Sequence, residues 1–239
     1  MNMPEIDSQK MTEKVRDDYN LIAKEWDLSR NRPSQLKLDL IGEVEEGTEL
    51  LDVGCGNGVM FPHINEKGAY YFGVDIAENL IEIATERYAD KIGEGRAKFV
   101  VGDATDLPVR DDEFDFVISF AVLHHIPSEA LRKKFFDEIQ RALRPNGKVK
   151  ITVWNLFNDW AHDRFDIGLQ LAGKNSGDVT IPWKGTEGQF INRFVHQFSK
   201  EELYVLAENA GFFDVRIDYF NRGGKKVENG EEMVLEMRG

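Results

Sequence analysis

The chain has 239 residues, a formal net charge of −13 and one cysteine, Cys55. That length fits one large domain with a sizeable core. A single thiol excludes an intramolecular disulfide and a cysteine-cluster zinc site. No segment is basic, which weighs against extensive phosphate-backbone binding but leaves room for a local basic patch or a partner subunit.

No apolar run reaches the roughly 18 residues that a membrane helix needs. The opening MNMPEIDSQK lacks the basic-then-apolar order of a signal peptide, so a cytoplasmic location is expected. Residues 9–28 carry Met11, Val15, Tyr19, Ile22, Ala23 and Trp26 at helical steps. A second short helix follows over about 34–42, after the break at Arg30-Asn31-Arg32-Pro33. Residues 49–53 read as a buried strand running into a glycine-rich turn, and 70–74 as a second strand. A helix follows, with Leu80, Ile81, Ile83, Ala84 and Tyr88 as its apolar positions. Residues 97–101 and 114–120 are the third and fourth strands, the latter apolar enough to be covered on both faces. Ser128 caps a helix reaching about Leu143, Pro145-Asn146-Gly147 turns the chain, and 148–154 is a fifth strand.

Strands alternating with helices predict a mostly parallel α/β sheet wound on both sides. Residues 155–198 break the rhythm: a helix near 159–172, then an irregular Gly-rich stretch with isolated aromatics. Long irregular segments in compact domains are often functional. Ser199 with Glu202 reads as a capping box, Gly211 as a helix stop, and 212–219 with 233–237 as an antiparallel hairpin at the sheet edge. The expectation is one domain over 1–239. It comprises a helical cover (1–48), a cofactor-binding core (49–154), a substrate-covering insertion (155–198) and a C-terminal helix with edge strands (199–239).

Asp52-Val53-Gly54-Cys55-Gly56-Asn57-Gly58 lies between a strand and a helix, where glycines permit a tight turn and close approach of a ligand to the backbone. Asp75 ends the second strand and can accept hydrogen bonds from both ribose hydroxyls of a nucleoside. Asp103 follows the third strand, within reach of an adenine amino group. Dinucleotide binding is the natural rival, but its fingerprint is G-x-G-x-x-G, and here the glycines run G-x-G-x-G. This arrangement, followed by Asp75, Asp103 and Asp115–Ser119, resembles the successive motifs of class I S-adenosylmethionine-dependent methyltransferases. The resemblance implies a Rossmann-like doubly wound fold and S-adenosylmethionine as cofactor. It implies that Asp52, Gly54, Gly56, Gly58, Asp75, Ile76, Asp103, Ala104, Phe120 and His125 hold that cofactor. Cys55 reads as a packing residue. His124 and His125 sit at the ligand-binding edge of the sheet, with at most one of them touching a ligand. The five histidines have no metal-ligand spacing, and no metal is expected.

Flanking segments bear on the methyl acceptor. Tyr19-Asn20-Leu21-Ile22-Ala23 with Ser29–Pro33, then Ile181-Pro182-Trp183-Lys184, then Arg193-Phe194-Val195-His196-Gln197-Phe198 resemble motifs of the wobble-uridine tRNA methyltransferases. Those enzymes esterify the carboxylate of 5-carboxymethyluridine. Phe194-Val195 keeps only half of that family's aromatic pair. The resemblance implies tRNA as substrate and a small activator subunit as partner. It makes Arg193 and His196, three apart and able to share one side of a turn or short helix, the expected catalytic pair. Arg30, Arg32, Trp183 and Lys184 are the expected substrate-binding residues. The bland alternatives are that Arg193 pairs with a surface acid and Trp183 is a lid aromatic. Two other functions stand beside this one: methylation of a small metabolite, which the acidic charge favours, and non-catalytic S-adenosylmethionine binding.

Overall fold

The computed structural model describes residues 5–172, 177–186, 188–221 and 223–239. Helix α1 (Glu5–Ser29) and α2 (Gln35–Leu40), the latter capped by Ser34, precede the core. Then come β1 (Glu49–Val53), α3 (Phe61–Glu66), β2 (Tyr70–Asp75), α4 (Glu78–Arg87), α5 (Ala89–Gly93) and β3 (Ala97–Val101). They are followed by β4 (Phe114–Phe120), a 3-10 turn at Leu123–His125, α6 (Glu129–Ala142) and β5 (Leu143–Trp154). The next segment holds α7 (Asp159–Phe165), α8 (Ile167–Leu171), β6 (Asp178–Lys184) and β7 (Phe190–His196). The chain closes with α9 (Lys200–Asn209), β8 (Phe213–Phe220), β9 (Lys226–Val227) and β10 (Glu232–Arg238).

Among the described residues the main sheet has eight strands in the order β3-β2-β1-β4-β5-β10-β8-β9. Strands β1 to β5 are mutually parallel, and β10 runs antiparallel to both β5 and β8. The final hairpin lies at this edge of the sheet, with β10 next to β5 and β8 beyond it. The order reverses between β1 and β4, so the carboxyl ends of those two strands open a crevice. Phe135, Phe136, Ile139, Leu203 and Leu206 cover one face of the sheet, and Leu36, Leu40, Phe61, Ile64 and Ile81 the other. Each fully buried large side chain contributes about 1.5–3 kcal/mol. The Pro145–Gly147 turn is absorbed into β5 as an irregularity. Asn146 has φ 65°, and the β4 pairing jumps from Leu143–Phe114 to Lys148–Phe116.

The segment expected to be irregular contains a β-hairpin. Strands β6 and β7 pair antiparallel, with Ile181 opposite Arg193 and Asp178 opposite His196. Val179, Ile181 and Val195 join Leu156, Ala161 and Ile167 in a small separate core. The alternation Val179-Thr180-Ile181-Pro182 carried this signal. A proline is tolerated there because both strands of a two-stranded sheet are edges. Residues 173–176 and 187 of the expected insertion, and 1–4 of the expected cover, lie outside the described residues. Helix α1 packs on α4 through Ala23, Ala77 and Leu80. It also meets the hairpin: Thr186 N–H donates to Glu25 at 2.6 Å, and Lys14 Nζ to the Asn192 carbonyl at 3.2 Å.

Candidate active site

All three glycines after β1 take left-handed backbone, with φ 78° at Gly54, 55° at Gly56 and 71° at Gly58. A Cβ on Gly54 would lie 2.1 Å from Val122 Cγ2, whereas one on Gly56 would meet nothing within 4 Å. The turn therefore packs down at Gly54 and is open above Gly56. Asp75, at the end of β2, locks it: Asp75 Oδ2 accepts from Gly56 N–H and Oδ1 from Ala77 N–H, each at 2.8 Å. Burial raises the Asp75 pKa, and these two backbone donors oppose the rise.

Around this turn is a cleft of about 610 Å³, within the range of small-ligand sites. Of the residues expected to hold cofactor, Gly54, Gly56, Asp75, Ile76, Asp103, Ala104, Phe120 and His125 line it. Asp103 Oδ1 accepts from Thr105 N–H and Oγ1–H, both at 2.8 Å. Cys55 also lines the cleft, but burial pushes its thiol pKa well up, which suits a packing residue.

Two expected cofactor ligands lie outside the lining. Asp52 is buried beneath the turn, where its Oδ2 accepts from Tyr71 O–H at 2.5 Å. Burial lifts its pKa to about 7, against the Tyr71 bond and Lys37. Gly58 faces Phe99, whose Cε1 would be 2.7 Å from a Cβ there, so its glycine serves packing.

The other end of the cleft is built by α1, the 3-10 turn, β5 and β7. His125 Nδ1–H donates to the Phe194 carbonyl at 2.7 Å, which leaves Nε2 to accept from Tyr19 O–H at 2.9 Å. Burial lowers the His125 pKa to about 4, so the ring is neutral, as that bonding requires. Burial raises the Tyr19 pKa, and the Arg193 guanidinium, in hydrogen-bonding reach of its oxygen, opposes this. Arg193 is 7% exposed and sits over the Trp154 ring, 4.9 Å from its centroid. Arg193 Nε is buried with no hydrogen-bond partner among the described residues. His124 is not in the lining: its Nδ1 accepts from Trp154 N–H at 3.2 Å, and its ring stacks on Trp154.

Arg30 and Arg32 reach the rim of the cleft and are exposed; the Arg30 guanidinium lies 4.9 Å from the Trp26 ring centroid. Trp183 and Lys184 are not in the lining. Ile181, on the same face of β6 as Trp183, is the β6 residue that enters it, and Lys184 points the other way, exposed. His196 is also outside. Three residues along a strand put side chains on opposite faces, so Arg193 faces the cleft while His196 faces α9. There Nδ1 meets Asp178 Oδ1 at 2.7 Å and Nε2 meets Glu202 Oε1 at 3.0 Å. The shared face expected for the pair required a helical turn, and the strand removes it. Glu202 is accordingly only half of a capping box: its N–H donates to Ser199 Oγ, but its carboxylate turns to His196.

Tyr19, Lys37 and Trp154 line the cleft although the sequence pattern gave them no such role. Tyr19 reads as part of the apolar stripe of α1, and Trp154 as the end of a strand. Lys37 Nζ lies 5.6 Å from the Phe120 ring centroid, and burial lowers its pKa against the pull of Glu232 and Asp52. A half-buried lysine brought to the cleft from α2 has no short-range sequence signature.

An open glycine turn, a strand-end carboxylate beside it and a cleft of this size suit an adenosine-based cofactor with a small charged tail. Residues 51–151 match the model of the family described as "Methyltransferase domain". The Mus musculus tRNA (carboxymethyluridine(34)-5-O)-methyltransferase is 32% identical over 219 residues, covering 91% of this chain and 31% of that protein. The chain thus spans about a third of the length of that relative. The Schizosaccharomyces pombe protein of the same description is 28% identical over 83% of this chain and 88% of its own. Among solved structures, a chain from the complex between the Haloferax volcanii Trm112 methyltransferase activator and a methyltransferase superposes with TM-score 0.67 at 20% identity, covering 94% of this chain and 96% of that one. Residues 51–151 of this chain are thus a methyltransferase domain, and the chain as a whole has the fold of solved S-adenosylmethionine-dependent methyltransferases.

Proposed function

We propose that this protein transfers the methyl group of S-adenosylmethionine to a carboxylate of a modified wobble uridine in tRNA. One observation carries the acceptor class: the buried guanidinium of Arg193 lines the cleft, and its Nε has no hydrogen-bond partner among the described residues. A buried cation is costly unless an anion meets it, and an arginine fork fits a carboxylate. The mouse and fission yeast relatives supply the tRNA part of the reading.

The bound cofactor supplies an electrophilic methyl group on a sulfonium. In this reading Asp75 would hold the ribose hydroxyls, Asp103 the adenine amino group, and the open Gly54–Gly56 turn the methionine part. Methyl transfer is an in-line displacement governed by alignment. A carboxylate acceptor is already ionised near neutral pH and needs no general base. Arg193 then has two tasks, holding the acceptor and aiming it. Its own orientation comes from the Trp154 ring and from the Tyr19 oxygen, whose hydrogen is committed to His125. Trp154, Leu156, Ala161 and Ile181 wall the same end with apolar surface that excludes water. Arg30 and Arg32 at the rim suit the phosphates or base of an RNA acceptor. A small activator subunit belongs to the proposal, since the Haloferax neighbour was solved with one.

The net charge of −13 favours a second reading, methylation of a small anionic metabolite. The test is transfer of labelled methyl to total tRNA from cells lacking their own wobble methylase, with and without an activator subunit. Label released from RNA by mild alkali is the expected result, because esters hydrolyse and methylated bases do not. Label entering only the small-molecule fraction overturns the tRNA reading in favour of the metabolite.

A further inference from the structure

Outside the cleft, three charged side chains from three elements gather around the ring of His196. His196, at the end of β7, is 6% exposed at its side chain and bonds Asp178 of β6 through Nδ1 and both Glu202 oxygens of α9 through Nε2, at 3.0 and 3.1 Å. Arg132 of α6 places Nε 3.6 Å from Glu202 and donates from a terminal nitrogen to the Ile126 carbonyl at 3.2 Å. The Phe198 ring closes the remaining side, 4.6 Å away centroid to centroid.

Carboxylates only accept, and a neutral imidazole has only one N–H. Both ring nitrogens face carboxylate oxygens, so the arrangement requires the imidazolium. We infer that His196 is a positioning residue, a doubly bonded imidazolium that clamps the β6–β7 hairpin to α9 and α6 and so fixes Arg193 at the cleft. Arg193 lies three residues back along the same strand, about 10 Å away. Its neighbour in the sequence, Phe194, supplies the carbonyl that orients His125. The hairpin has its own small core, and α1 holds its far end through Glu25 and Thr186. The clamp is the matching attachment at the near end, where Asp178 opens β6 and His196 closes β7.

The charge balance around the ring agrees. Burial and Arg132 disfavour the imidazolium, but the hydrogen bonds to Asp178 and Glu202 outweigh them and the His196 pKa is raised. A group whose folded pKa is raised gives its full stabilisation below its unfolded value, near 6.5, and loses it as pH rises through the folded one. Above that point one of the two carboxylate bonds has no proton, and the hairpin end loosens. The role assigned to Arg193 rests on the acceptor reading above; the clamp itself does not.

The test uses the full chain. Histidine-selective NMR gives the His196 titration, and amide exchange relative to intrinsic rates gives β6–β7 protection from pH 6 to 9. Two variants separate charge from shape. His196→Gln breaks one of the two bonds at every pH. Glu202→Gln lets a neutral ring keep both, donating to Asp178 and accepting from the new amide. The wild type is expected to titrate above the usual histidine value and to lose about tenfold in hairpin protection across that titration, the effect of one charge-assisted hydrogen bond. Glu202→Gln is expected to be flat over the same range, and His196→Gln unprotected throughout, with cofactor affinity held in all three. A wild-type His196 titrating at or below the usual value, or a Glu202→Gln profile that follows the wild type, overturns the clamp. A clamp that behaves as expected in a protein that never esterifies RNA counts against the acceptor reading alone.

Discussion

Asp75→Ala tests the cofactor end most directly. The carboxylate bridges Gly56 N–H and Ala77 N–H at 2.8 Å each, so truncation has two effects. Leaving two donors unsatisfied costs about 1–3 kcal/mol each where water cannot reach them, and the cleft wall allows some of that to be recovered. The second effect is the loss of charge-assisted bonds to the ribose, about 1.5–3 kcal/mol, or roughly 10- to 150-fold in affinity. Calorimetric titration with S-adenosylhomocysteine measures the sum, and circular dichroism confirms that the variant is folded. A ribose-deoxy analogue separates the two effects. Wild-type protein should bind it more weakly than the parent ligand, and Asp75→Ala should not discriminate between them. An affinity within about twofold of wild type, or undiminished discrimination in the variant, would refute the ribose assignment.

Arg193→Ala should leave cofactor affinity within about twofold and lower kcat/KM for the acceptor by roughly 10- to 150-fold, the worth of charge-assisted bonds; an equal loss of cofactor binding in calorimetry would place the guanidinium at the wrong end of the cleft. Gly54→Ala should lower the melting temperature and cofactor affinity together. A left-handed alanine costs about 1–2 kcal/mol, and the clash with Val122 about 1–3 kcal/mol more. Wild-type stability would contradict the turn geometry. Asp52 has a folded pKa of about 7 against an unfolded value near 3.9, so the folded state holds the extra proton. Its contribution to stability therefore falls as pH climbs from about 4 to 7, by up to about 4 kcal/mol. Asp52→Asn, which keeps an acceptor for Tyr71, should flatten that part of the melting profile; parallel wild-type and variant curves would show that the carboxyl is ionised throughout.

The sequence by itself settled whatever depends on local pattern and strand-end position. Apolar runs of five to seven residues punctuated by glycine turns and helical stripes determine β1 to β5 and their crossovers. Chain order then puts Gly54, Asp75 and Asp103 at successive carboxyl ends, where the sheet's switch point gathers them. Tertiary structure alone decided the acceptor end. Arg193 and His196 look like a pair only while their backbone is unassigned. Pairing with β6 makes it a strand, and a period of two sends the pair to opposite faces, one to the cleft and one to a buried ionic cluster. Tyr19, Lys37 and Trp154 share the cleft with residues far away in the chain, brought together by packing of α1, α2 and β5 that no short window of sequence encodes. Asp52, one residue from the glycine turn, is turned beneath it by the pleat of β1, so proximity in sequence did not become proximity to the ligand.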